Sequence, residues 1–132
     1  MITETNNMDI VNSILSHPDI WPEISPDIPP FDVAYMPDVL YFLMNEADGV
    51  VIFHSFRDSV KIHPNVLPKY RGKAAYEAVN EAIEEMFSRG YPCIYAEIDR
   101  KLTHVIRFAK ALGFNLLESN DRDLLVRRNL DS

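Results

Sequence analysis

One stretch constrains this chain more than any other: VKIHPNVLPKYRGKAAYEAVNEAIEEMF, from Val60 to Phe87. Val60 and Ile62 alternate with Lys61 and His63, the period of a half-buried strand. Pro64 lacks the N–H that a fully paired central strand needs, so a bulge, a bend or a one-sided opening is expected there. Pro68 removes a second donor, and Tyr70-Arg71-Gly72-Lys73 forms a basic turn. Beyond it, Ala75, Ala78, Val79, Ala82, Ile83, Met86 and Phe87 recur on one side of a helix, with Glu77, Glu81, Glu84 and Glu85 on the other. A strand that opens through a basic glycine turn into a helix can hold anionic oxygens. The first helical amides are unpaired, and the helix dipole favours negative charge.

The remainder must pack around this unit. A chain of 132 residues is expected to form one domain, 1–132, with a real core. Apolar residues make up 47% of it, too many for a disordered chain. Charge or turns break every apolar run, so neither a membrane span nor a signal peptide is expected. Cys93 is the sole cysteine, which excludes an internal disulfide and argues for a reducing, cytoplasmic setting. The net charge of −7 argues against nucleic-acid wrapping but leaves room for a local basic pocket. The histidines His17, His54, His63 and His104 lack ligand spacing, so no metal site is expected.

Met1 to Asn6 is polar and expected to fray. Met8, Val11, Ile14 and Leu15 have helical spacing, with Asn6 or Asn7 available as a cap and Pro18 to stop the helix. In the Pro-rich segment that follows, Ile20, Trp21, Ile24 and Ile28 all call for cover, and Trp21 reads as a core or lid anchor. Strands are expected at Phe31 to Tyr35, Val39 to Met44 and Gly49 to Phe56, giving an antiparallel meander. After the long helix and its Gly90 cap come a strand from Cys93 to Ile98 and a helix from Lys101 to Leu112, ended by Gly113. Two further strands, Phe114 to Leu117 and Leu124 to Arg128, complete the chain. The pattern is mixed α/β with a mostly antiparallel sheet, and lacks the repeated βαβ opening of a Rossmann unit.

Two segments resemble landmarks of the GNAT N-acetyltransferases. Val66-Leu67-Pro68-Lys69-Tyr70-Arg71-Gly72-Lys73 is similar to the Val-x-Pro-x-x-Arg-Gly-x run that joins a strand to the acyl-CoA-binding helix. Ile106 to Phe114 resembles the later helix ending in Leu-Gly-Phe. The resemblance implies a GNAT-like sheet with a splayed strand pair, acetyl-CoA as acyl donor and a small-molecule or protein amine as acceptor. It also implies pyrophosphate binding by the turn, here Val66, Arg71, Gly72, Lys73, Ala74, Ala75 and Tyr76. Ala74 and Tyr76 depart from the family's Gln-or-Arg-x-x-Gly-x-Gly-or-Ala frame, and Ala109 and Leu102 stand where the family often has a tyrosine and an asparagine.

Direct attack of an amine on the thioester is the implied chemistry, with an amide near Val66 supporting the oxyanion. His63 is the first candidate for the base; Glu97 or Tyr95 on the neighbouring strand could orient the amine or take its proton. His54 reads as structural, and His104 falls on the solvent side of its helix. The chain also looks like small GNAT-like proteins carried by phages and prophages, and its departures fit an alternative, a noncatalytic assembly or interaction module. Exposed strand edges allow for a homodimer.

Overall fold

A computed structural model describes residues 1–130. Its centre is a seven-stranded sheet in the order β1-β2-β3-β4-β5-β7-β6. The strands are β1 (Ile2–Glu4), β2 (Leu40–Met44), β3 (Gly49–Phe56), β4 (Ser59–Val66), β5 (Cys93–Asp99), β6 (Asn115–Ser119) and β7 (Asp123–Asn129). Every pairing is antiparallel except that of β4 with β5. The mixed, mostly antiparallel architecture expected from the sequence is the one observed. Two strand expectations need correction. Residues Ile2–Glu4 do not fray but pair with β2, and Asn45 accepts a bond from the chain's amino group, which anchors the start. Phe31 to Tyr35 forms no strand; Phe31 and Tyr35 are exposed, and the segment is held by Asn12, whose amide side chain bonds both Val33 N–H and Val33 O.

Helices cover the two faces unequally. On one face, α3 (Lys73–Ser88) and α4 (Thr103–Ala111) pack on Phe42, Val51, Phe53, Ile62, Ile94 and Val126. The predicted stripe of α3 is buried throughout, and Val79, Ile83 and Met86 are each 0% exposed. Burying each such side chain stabilises the fold by about 1.5–3 kcal/mol. On the other face, α1 (Met8–Leu15) rests on Tyr41, Leu43 and Val50, capped by Asn7 as anticipated. A single turn, α2 (Trp21–Ile24), follows. Trp21 is the anchor expected of it: buried, edge-on to Phe31, with its indole N–H on Ile28 O at 2.7 Å. Ile24 and Ile28, expected to be covered, stay exposed.

Side-chain alternation fixes what the less covered face carries. Ile62, Ile94 and Ala96 point to α3 and α4, so Lys61, His63, Tyr95 and Glu97 lie on the opposite face with His54.

Candidate active site

Strand β4 is closed on one edge and open on the other. Its ladder to β3 runs unbroken from Ser59 with Phe56 to Val66 with Gly49. Its parallel ladder to β5 consists of Val60 with Ile94 and Lys61 with Tyr95, after which the two strands part. Hydrogen-bond phase explains the asymmetry. Leu67 N–H bonds Asp48 O, so the next antiparallel pair, Val66 with Gly49, is a non-bonded one, and Pro64 with Val51 is another. Pro64 therefore falls where β3 requires no donor, and the missing N–H is felt only on the β5 side. Of the three outcomes expected at this proline, the one-sided opening is what forms. The same phase turns the Val66 N–H into the gap.

The facing edge of β5 follows from its other neighbour. Leu130 N–H bonds Pro92 O and Arg100 N–H bonds Arg122 O, which places Glu97 in a non-bonded pair with Leu125 of β7. The main-chain groups of Glu97 consequently face β4 across the gap. Both lips thus present backbone polar groups with no strand partner, a surface that an extended amide-bearing ligand can pair with.

At the mouth of the gap a short 3-10 turn, Pro68–Tyr70, leads into α3. Gly72 precedes the helix at φ 121°, a left-handed conformation that disfavours any side chain, and open space lies where a Cβ would stand. No side chain caps α3. Its first intrahelical donor is Tyr76 N–H, bonded to Gly72 O at 3.0 Å, so the amides of Lys73, Ala74 and Ala75 precede the ladder. Of the amides expected to serve a ligand, that of Tyr76 is thereby committed to the helix. Its ring is committed as well: the hydroxyl donates to Ala111 O at 3.0 Å and the ring meets Phe108 edge-on. Arg71 Nε donates to Val66 O at 3.2 Å, tying the turn to the end of β4.

The expected catalytic candidates share one face but not one environment. His63 stands in the wall beside the gap. Desolvation by surrounding protein, then the nearby His54 and the Lys61 ammonium, push its pKa from 6.5 down to about 4. His63 is nevertheless exposed to solvent. Tyr95 is buried, and its hydroxyl donates to Asp58 at 2.7 Å, in the β3–β4 turn and away from the opening. That carboxylate and burial raise the phenol's pKa, which suits a structural proton better than a mobile one. Glu97 is exposed and lies 3.7 Å from Lys61 Nζ. His104 is exposed on α4 as its stripe predicted.

Sequence reasoning missed two partners. Asp58 holds Tyr95, and His54 Nε2 lies 2.7 Å from His63 Nε2. The second was recoverable: Arg57 and Asp58 alone separate Phe56 from Ser59, which fixes the hairpin register and makes His54 and His63 diagonal neighbours on one face.

Two surface hollows lie elsewhere. A hollow of about 430 Å³ sits between β1 and α3, lined by Glu4, Glu81, Glu84 and Arg89 among others, and an apolar one of about 160 Å³ sits between α4 and strands β6 and β7. Neither is lined by the amides, histidines and cations that flank the gap. Among the described residues no cluster of His, Cys, Asp or Glu could hold a metal ion, and no helix is long and apolar enough to cross a membrane.

Comparison with known proteins bears on the fold and the family. No curated protein matches the chain. Among solved structures, an acetyltransferase (GNAT family) from Bacillus anthracis aligns with a TM-score of 0.78 at 14% identity, covering 99% of this chain and 96% of that one. The PaiA N-acetyltransferase from Thermoplasma acidophilum, solved in complex with coenzyme A, gives 0.69 at 13% identity, with 98% and 99% covered. The ribosomal-protein-S18-alanine N-acetyltransferase from Escherichia coli gives 0.64 at 15% identity, with 98% and 94% covered. At such identities these likenesses speak to the fold. The model of the acetyltransferase (GNAT) family matches residues 16–114, which hold the gap, its turn and both flanking helices, and the chain belongs to that family.

Proposed function

We propose that this chain is an acetyl-CoA-dependent N-acetyltransferase that passes the acetyl group directly to an amine in a ternary complex. The observation that carries the reading is the parting of β4 from β5 beside the uncapped, cationic start of α3. Bound acetyl-CoA supplies the acyl group already activated as a thioester. The amides of Lys73, Ala74 and Ala75, with the Arg71 and Lys73 side chains, hold its pyrophosphate. Val66 N–H donates to the carbonyl oxygen as negative charge develops there. The amine nitrogen bonds to the carbonyl carbon, the carbon–sulfur bond breaks, and the sulfur leaves as thiolate.

His63 takes the proton that the nitrogen sheds. Its lowered pKa keeps the imidazole unprotonated at neutral pH, and also makes it a weaker base than an imidazole near 6.5. Glu97, opposite it across the gap, orients the acceptor amine, which attacks as the neutral species, and Tyr95 supports this wall through Asp58. Ala109 offers no hydroxyl, so the thiolate takes its proton from water. The acceptor is a small-molecule or protein amine. The exposed edge of β6 leaves a strand for a second copy.

A second reading, a noncatalytic assembly or interaction module such as a phage protein, is favoured by one observation. Tyr76 pins α3 to α4 through Ala111 O, in the seam beside the turn. The test is release of free coenzyme A thiol from acetyl-CoA over a panel of primary amines, with the wild type beside His63→Ala and Tyr76→Ala. Turnover that falls about 10²–10⁴-fold in His63→Ala supports the enzyme. No turnover and no cofactor binding until Tyr76 is truncated would favour the module.

A further inference from the structure

His54 and His63 form a pair whose geometry assigns its protons. Their ring centroids are 4.7 Å apart, the planes differ by 14°, and Nε2 lies 2.7 Å from Nε2. Parallel rings lying face to face cannot bring two nitrogens that close, so the rings meet edge to edge, with a proton between the two nitrogens. His54 Nδ1 sits 3.0 Å from Ser55 O. A carbonyl only accepts, so the proton on that side belongs to His54 Nδ1. Neutral His54 then has a bare Nε2, and the shared proton comes from His63. Neutral His63 has one N–H to give, at Nε2, which leaves the lone pair on Nδ1.

We infer that His54 is a positioning residue: it locks His63 in its Nε2–H tautomer and so makes Nδ1 the nitrogen that accepts the acceptor amine's proton. The inference rests on the acyltransferase reading for its role, while the tautomer lock stands on the pair alone. As the nitrogen–carbon bond forms, the amine's N–H bond breaks and an Nδ1–H bond forms on His63. The resulting imidazolium keeps donating Nε2–H to His54 Nε2. A ring without His54 would divide between two tautomers and two orientations, only part of which present a base. The neighbourhood fits a single protonation event. A further proton on His54 Nε2 would set two N–H groups head to head across 2.7 Å, and Lys61, opposite His54 in the ladder, already brings a positive charge answered by Glu97.

The test is imidazole nitrogen NMR on protein labelled at histidine, beside steady-state kinetics of His54→Phe and His54→Gln. The wild type should show His54 as the Nδ1–H tautomer and His63 as the Nε2–H tautomer. His54→Phe should mix the His63 tautomers and lower kcat about 10- to 100-fold at unchanged KM for acetyl-CoA. His54→Gln, whose side-chain carbonyl can take the same bond, should restore most of both. A wild-type His63 carrying its proton on Nδ1, or a His54→Phe that keeps kcat while His63→Ala loses it, would overturn the inference. Assigned tautomers in a protein that acetylates no amine would uphold the lock and count against the acyltransferase reading instead.

Discussion

Helices α1 and α3 begin in opposite ways. At α1, Asn7 accepts from the amides of Asp9 and Ile10 at 3.2 and 3.4 Å, and Asp9 adds a negative charge to the first turn. Both features satisfy the helix from within the chain. At α3 neither exists: Gly72 contributes no cap, the first turn holds no acidic residue, and Arg71 and Lys73 add positive charge where the dipole is already positive. An arrangement that is unfavourable alone becomes favourable when an anion arrives. A missing cap is not enough to mark such a place, since α4 also starts without one. What sets α3 apart is a glycine-only conformation with open space beside it, at the mouth of a parted strand pair. One helix start is completed from within the chain; the other is not.

Substitutions at the two starts should therefore separate stability from binding. Arg71→Glu reverses a charge at the open start and should weaken acetyl-CoA binding on the order of 10- to 100-fold, read by calorimetric titration, with little change in melting temperature. Gly72→Ala forces a side chain into a glycine-only conformation and should cost about 1–3 kcal/mol of unfolding free energy in urea. It should weaken the cofactor too, by displacing the amides that follow. Asn7→Ala should cost about 1 kcal/mol of stability and leave acetyl-CoA affinity unchanged. An Asn7 variant that lost affinity would break the contrast, because the two starts would then be coupled.

The smallest expected effect concerns pH. His63 titrates near 4 in the folded chain against 6.5 ordinarily, so between those values the unfolded chain binds more protons. Stability from this site is present above about 6.5 and is lost as pH falls toward about 4. In His63→Gln the fall in melting temperature over that window should be shallower than in the wild type.

Much of this was legible because local rules agreed with one another. The apolar stripe of α3, the Asn7 cap and the glycines closing α3 and α4 each follow from a short window of sequence, as does the strand ending in a basic turn. Pro64 signalled an irregular strand, but only the ladder phase with β3 could say which edge would open. Ile2–Glu4 was missed because three polar-flanked residues carry no strand period, and their pairing depends on β2, far along the chain. Phe31 to Tyr35 looked like a strand because its aromatic content is β-like, yet the backbone of Val33 is claimed by the side chain of Asn12, on a different element. Within the proposed site, the place of His63 beside the gap followed from its position on the strand. The bond from Tyr95 to Asp58 could not be read from the strand alone, because Asp58 belongs to a different turn.

The most direct measurement is calorimetric titration of the folded wild-type protein with acetyl-CoA beside Arg71→Glu. Saturable binding by the wild type, weakened at least tenfold in the variant, is the predicted result (about 1.4 kcal/mol or more). No heat of binding at millimolar acetyl-CoA, or equal affinity in the two proteins, would contradict the claim that the start of α3 is the pyrophosphate site.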